Sequence, residues 1–255
     1  MIRLCRRLFR LSLLLPWLIY MGIISLPTAY RRDSWASVKG MTEQIRKWAR
    51  GLLWIFNIHL KVHPEQATYQ GGLVVSNHMG YVDVFVHAAA CGLRFCPKSD
   101  VRDWPVLGWY AGLTHPIWID RSSRLKSKET LNEFCETLAH QIPLIVYPEG
   151  TSTDGNQVLP FKTSAFEVAA SGGFDIQPVV TVYRVPEGEA SPCWYTDIGI
   201  IPHLWQLVGI SRIDCDLYLL PRISAGGRSR KELAELTNQV ISREHARLKS
   251  VSAGK

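Results

Sequence analysis

Gly72-Leu73-Val74-Val75-Ser76-Asn77-His78-Met79-Gly80-Tyr81-Val82-Asp83 begins as an apolar run and ends in a polar, glycine-containing turn. A short apolar run bounded by turn residues reads as a strand buried on both faces. The residues after the turn, 82–90, read as a helix. The same grammar returns downstream. Residues 143–147 form a second apolar strand, followed by Pro148-Glu149-Gly150-Thr151-Ser152-Thr153-Asp154-Gly155. Strand-like runs at 93–97, 115–119 and 176–183 alternate with helical patterns at 105–111, 127–140 and 161–171. Such alternation implies βαβ units. The fold class is therefore α/β, a mixed, largely parallel sheet flanked by helices. A last helix over 230–249 opens on Ser229-Arg230-Lys231-Glu232, a capping-box pattern, and turns Leu233, Leu236, Val240 and Ile241 to one face.

The charge is unevenly placed. Residues 1–50 hold ten Lys or Arg against two Asp or Glu, whereas 51–255 hold nineteen against twenty. A nucleic-acid binder would spread a basic stripe over its folded body, and this chain does not, so no nucleic-acid partner is expected. Leu11 to Tyr30 is an uncharged run of twenty residues, and about 20 is what a helix needs to cross ~30 Å of hydrocarbon. Arg3, Arg6, Arg7 and Arg10 precede it, and Arg31 and Arg32 follow. Its length, with Trp17 and Tyr20 inside, favours an uncleaved anchor over a secretory signal. Arginines on both sides suit a full crossing and a helix dipping into one leaflet equally well. Residues 35–58 pass from basic to apolar and aromatic, the gradient of a helix lying on an anionic membrane surface or packed on the domain. The expected organisation is an N-terminal hydrophobic membrane-associated helical segment over 1–58 and a catalytic domain over 59–255. Six cysteines without a Cys-x-x-Cys pair point to free thiols and to no metal site.

In open α/β sheets, ligands bind beyond the carboxyl ends of the strands. His78 and Asp83 occupy such a turn. An imidazole can take a proton from a hydroxyl, and a carboxylate on its other nitrogen fixes the tautomer and stabilises the imidazolium. No Gly-x-Ser-x-Gly elbow is present, so the attacking hydroxyl is expected to come from the substrate. The His-x4-Asp spacing occurs twice, the second time as His115-Pro-Ile-Trp-Ile-Asp120. If 115–119 is a strand, positions five apart point to opposite faces, so the first pair is favoured and His115 reads as a packed strand residue.

Together these residues resemble the glycerolipid acyltransferase family, best known for its 1-acylglycerol-3-phosphate acyltransferases. Asn77-His78-Met-Gly-Tyr-Val-Asp83 matches its His-x4-Asp block. Gly112 to Arg121, ending Ile-Asp-Arg, resembles the second block, Tyr147-Pro-Glu-Gly-Thr151 the third and Ile176-Gln-Pro-Val179 the fourth. Lys98 to Gly108 is similar to the linker between the first two blocks. The resemblance implies transfer of a fatty acyl group from a thioester, on acyl-CoA or acyl carrier protein, to the hydroxyl of a lysolipid in phospholipid biosynthesis, with no metal or other cofactor. It implies His78 as base, Asp83 as its orienting partner, and Arg121, Glu149, Gly150, Thr151 and Lys98 as acceptor-binding residues. It also implies a membrane location with the catalytic domain on the cytoplasmic face, where acyl thioesters are found. Many lysophosphatidate acyltransferases carry Arg directly after Glu-Gly-Thr. Here Ser152 stands there, and the run is more similar to the lyso-ornithine lipid and related lysophospholipid branches. The acceptor thus stays open between lysophosphatidate and another lysolipid. A thioester or lysolipid hydrolase using the same pair, and a silent lipid-binding scaffold, are the competing classes. Trp104, Trp109, Trp118 and Tyr147 read as packing residues, Lys162 as a solvated lysine or a phosphate contact, and 194–210 as a sheet cover or a lipid contact.

Overall fold

A computed structural model describes residues 1–31, 34–65, 69, 71–104, 107–119 and 124–253. In chain order the elements are α1 (Ile2–Ala29), α2 (Ser34–Phe56), β1 (Ile58–His63), β2 (Leu73–Ser76), α3 (Tyr81–Ala90), α4 (Leu107–Leu113), α5 (Arg124–Ala139), β3 (Leu144–Val146), α6 (Glu167–Gly172), β4 (Ile176–Arg184), α7 (Ile200–Leu207), β5 (Ile213–Leu219) and α8 (Arg230–Ala253). The sheet runs β1-β5-β4-β2-β3. All neighbours are parallel except β4 and β5. It is the mixed, largely parallel sheet expected.

Alternation along the strands builds two cores. Val74, Ile145 and Val179 face one side and pack with Leu53 and Phe56 of α2 and Val82 and Val86 of α3. Leu73, Val75, Leu144, Val146 and Val180 face the other, with Phe134 and Leu138 of α5 and Leu233 and Ile241 of α8. Both faces are covered, which is why these strands read as unbroken apolar runs. The capping box of α8 forms as expected: the Ser229 N–H and hydroxyl donate to Glu232 Oε2, and the Glu232 N–H donates back to Ser229 Oγ.

Two expected strands take a lesser form. Residues 93–97 and 115–119 run extended beyond the free edge of β3 but make only isolated parallel bridges, Arg94 with Leu144 and Lys98 with Ile119. Pro97, Pro116 and Pro143 remove ladder donors from these stretches. His115 is accordingly not a strand residue. It follows α4 in the left-handed region (φ 50°), and its Nε2 lies 2.8 Å from Ser37 Oγ and 2.9 Å from Ala29 O. The second His-x4-Asp copy thus ties the end of α1 to α2; its Asp120 lies outside the described residues, as do Arg32 and Pro105.

Among the described residues, α1 is the one helix long and apolar enough to cross a membrane. One face of it nonetheless belongs to the protein. Leu14, Met21, Gly22, Ser25 and Ala29 are buried. Arg10, 6% exposed, donates to the carbonyls of Val208, Ile210 and Ser211, and Arg6 to that of Gly209. These carbonyls lie in the turn after α7, where no helical N–H follows to donate to them, and Ser211 O also accepts from Asn57 Nδ2. Farther along, Tyr110 donates to Leu18 O, and Trp48 Nε1 to Ser25 Oγ. The apolar half of α2 is packed, with Leu52, Leu53, Ile55 and Phe56 buried and Trp54 left outside.

A buried polar chain joins α3 to the sheet. Tyr69 OH lies 2.9 Å from His87 Nδ1, His87 Nε2 lies 3.0 Å from Thr181 Oγ1, and Thr181 Oγ1 lies 3.0 Å from Ser76 Oγ. A neutral imidazole, one donor and one acceptor, fits between a tyrosine and a threonine. Burial pulls the His87 pKa down to about 4.

Replacing Arg10 by Met keeps the stem and strands the carbonyls of Val208 and Ile210, while Ser211 O keeps the Asn57 amide, which should cost roughly 2–4 kcal/mol. An unchanged melting temperature in detergent would show that α1 is not clamped this way. The His87 shift predicts acid sensitivity. Below the ordinary pKa of 6.5 the unfolded chain takes a proton that the folded chain refuses down to about 4. Stability therefore falls with falling pH across that window, by about 2 kcal/mol at pH 5 from this residue. His203 and His245, also shifted down by burial, act in the same direction. Urea unfolding at pH 5 and pH 7 should show a smaller difference in His87→Gln; an equal difference would remove His87 from the account.

Candidate active site

Because β3 and β4 flank β2, the segments leaving their carboxyl ends converge, the general location of ligand crevices in open α/β sheets. The pairing of β2 with β4 ends at Ser76 opposite Val179. There the backbone turns away and a side chain takes over. Asn77 Nδ2 donates to Thr181 O (3.0 Å) and its Oδ1 accepts from Thr181 N–H (2.8 Å). The Asn77 amide imitates one more rung of the ladder, and His78 emerges from a fixed end.

The His78 peptide is held on both sides by the loop after β3. Its N–H donates to Glu149 Oε1 (2.7 Å), and its C=O accepts from the Thr153 N–H (2.9 Å) and hydroxyl (3.2 Å). Gly80 caps α3 at φ 139°, and a Cβ there would lie 2.9 Å from Trp194 N and Cβ. Glycine is required both by that dihedral and by the close approach. The Trp194 N–H in turn donates to Met79 O, and Trp104 and Tyr81 meet the Trp194 ring edge-on.

Asp83, fully buried, stands in the first turn of α3 and collects four donors. Oδ2 accepts from His78 Nδ1 (2.8 Å), Met79 N–H (2.6 Å) and Gly80 N–H (3.1 Å), and Oδ1 accepts from Tyr183 OH (2.9 Å). A carboxylate at this position is favoured by the free N–H groups and dipole of the helix start. Burial, with Asp83 beside it, pushes the Tyr183 phenol well up, so it stays a donor. The His78 ring is stacked on Tyr147 with centroids 4.2 Å apart. With Nδ1 committed to Asp83, Nε2 makes no hydrogen bond among the described residues, and the side chain keeps 23% of its surface. The arrangement can accept a proton from a hydroxyl at Nε2.

The remaining expected residues are distributed unevenly. Glu149 is buried, and its second oxygen accepts from Leu159 N–H (2.8 Å), so both oxygens are taken by backbone groups. Burial pushes its carboxyl up while those two N–H groups pull it down. Gly150 sits at φ 72°. Thr151 is exposed, and its hydroxyl and N–H, with the N–H of Ser152, find no acceptor among the described residues. The Ser152 hydroxyl donates to Trp194 O (2.5 Å). Lys98 is exposed where its segment bridges Ile119, the stretch leading to Arg121, which itself lies outside the described residues. Asn77, Thr153 and Tyr183 were not singled out from sequence as part of the site. Only Asn77, beside His78 on the turn, carried any local signal.

Residues 59–182 match the family described as Acyltransferase. The chain is 40% identical over 148 residues to a lyso-ornithine lipid O-acyltransferase of Rhodobacter capsulatus, covering 55% of this chain and 53%, about half, of that protein. It is 31% identical over 199 residues to the lyso-ornithine lipid O-acyltransferase of Pseudomonas aeruginosa, covering 77% of this chain and 76% of that one. In fold it is similar to the crystal structure of the 1-acyl-sn-glycerophosphate acyltransferase of Thermotoga maritima, with a TM-score of 0.69 at 21% identity over 97% of this chain and 96% of that one. An α/β sheet that places His78 and Asp83 where β2 turns into α3, together with a match over three quarters of a relative's length, makes this chain a member of the acyltransferase family.

Proposed function

We propose that the protein is a membrane-associated O-acyltransferase that moves a fatty acyl group from acyl-CoA or acyl carrier protein to the free hydroxyl of a lysolipid. The observation carrying this reading is the open Nε2 of His78, whose Nδ1 is bound to the fully buried Asp83. The acceptor hydroxyl gives its proton to Nε2 as its oxygen bonds to the thioester carbonyl carbon. Asp83 stabilises the imidazolium that forms. The negative charge on the carbonyl oxygen is received by the free N–H groups of Thr151 and Ser152. Collapse breaks the carbon–sulfur bond, and the thiolate takes the proton back from His78. The thioester is a substrate, and the step draws on no cofactor.

Glu149 is better suited to holding the site than to holding the lipid, since both oxygens are engaged by backbone. Lyso-ornithine lipid is the favoured acceptor, because two relatives carry that name and position 152 is serine; lysophosphatidate is the comparison substrate. Leu4, Leu8, Phe9, Leu15, Ile19 and Ile23 of α1 are exposed apolar side chains that suit contact with lipid, while the opposite face stays on the domain. The catalytic face is assigned to the cytoplasmic side, where acyl thioesters are available.

His78→Ala should lower acyl transfer at least about a thousandfold in a chain that still folds, as read by its circular dichroism. Normal turnover in that variant, or fatty acid release without acylated lipid in the parent, would sink the mechanism. Glu149→Gln can accept only one of the two backbone N–H groups. It is expected to lose roughly 1–3 kcal/mol of stability and most of kcat while leaving the acceptor KM near that of the parent. A selective rise in KM would instead make Glu149 a substrate ligand.

A further inference from the structure

The loop after β3 carries a cation that the His–Asp chemistry leaves unused. The Lys162 N–H donates to Pro148 O at 2.9 Å, which returns the chain to the turn it left. Its side chain then crosses Gly150. A Cβ placed on Gly150 would lie 2.8 Å from Lys162 Cε and 3.0 Å from Cδ, and would collide with Nζ. The φ of 72° is what asks for glycine at position 150, and the exposed lysine stem lies over the open space that its missing side chain leaves. Among the described residues no carboxylate pairs with this ammonium. Glu149, one residue away, is fully committed to backbone donors. The adjacent Thr151 hydroxyl is exposed and makes no hydrogen bond among the described residues, whereas Ser152 is spent on Trp194 O.

An exposed, unpaired ammonium lying over Gly150, whose chain neighbours are the strut Glu149 and the exposed hydroxyl of Thr151, is suited to an oxyanion-bearing group. Building on the proposed function, we propose that Lys162 binds the oxyanion of the acceptor lipid's headgroup, a carboxylate or a phosphate, with the Thr151 hydroxyl as second donor. A compact ammonium lacks the fork geometry of arginine and serves a carboxylate as readily as a phosphate. The headgroup and the phosphates of the acyl donor share this chemistry, and the acceptor is the assignment made here, because the turn that carries the cation also holds the His78 peptide.

The test uses the full chain in detergent with palmitoyl-CoA as donor, and lysophosphatidate, lyso-ornithine lipid and uncharged monoacylglycerol as acceptors. Lys162→Met keeps the stem over Gly150 and removes the charge; Lys162→Arg keeps the charge, and Lys162→Gln serves if the Met variant fails to fold. The Met variant should raise KM for both oxyanion-bearing acceptors, the phosphate of lysophosphatidate and the carboxylate of lyso-ornithine lipid, by about ten- to a hundredfold, with kcat within about threefold. KM for palmitoyl-CoA and turnover of monoacylglycerol should not move, and the Arg variant should recover most of the loss. A rise confined to the palmitoyl-CoA KM would assign the charge to the donor and overturn the proposal. Unchanged KM values throughout would return Lys162 to a solvated lysine. If the parent acylates neither oxyanion-bearing lysolipid, the proposed function fails first; if it does and the Met variant matches it, only this assignment fails.

Discussion

The Asp83 carboxylate is the contact on which the site depends. A fully buried negative charge is tolerated only when its oxygens are satisfied, and here four donors converge on it. Two of them, Met79 and Gly80 N–H, belong to the turn entering α3, so the same carboxylate starts a helix and fixes the tautomer of His78. The third is His78 itself. The fourth, Tyr183, reaches in from the end of β4 and ties the pair to the sheet. Removing that carboxylate would free the helix start, the turn and the imidazole together.

The sheet order explains how so many backbone groups reach one histidine. With β4 on one side of β2 and β3 on the other, the segments leaving all three meet over Asn77 and His78. Asn77 fastens the turn to β4, and Glu149 and Thr153 fasten it to the loop after β3. Each of these polar side chains is buried. Each is also matched by a backbone partner, which makes the network rigid rather than costly. A histidine held this way needs little reorganisation to meet a reacting group.

The N-terminal helices show a different balance. The apolar character of α1 suits lipid, yet Arg6 and Arg10 spend their guanidinium groups on carbonyls of the turn after α7. Charge at the start of this helix therefore serves attachment to the domain, and a count of basic residues alone misses that use. The apolar end of α2 likewise belongs to the core, with Trp54 as its outward exception.

By itself the sequence determined the class of fold and the chemistry of the pair. The runs that became β2, β3 and β4 are apolar because both faces of the sheet are covered, and that demand is visible locally. So is the Ser229–Glu232 capping box, which involves only neighbours in the chain. What only the tertiary structure decided depends on partners far apart in sequence. β1 and β5 were not anticipated, although Ile213-Asp214-Cys215-Asp216-Leu217 alternates with a period of two, because strand pairing between residues 58 and 213 leaves no mark in either segment alone. The two His-x4-Asp copies differ in their surroundings rather than in their spacing: one meets a helix start, the other a carbonyl at the end of α1. Glu149 reads as a ligand in a motif, and in the fold both its oxygens meet backbone N–H groups; Lys162 reads as a solvated lysine or a phosphate contact, and in the fold it is exposed with its stem over Gly150. A side chain's role is set by which polar groups the fold leaves within its reach, and chain order does not record that distance.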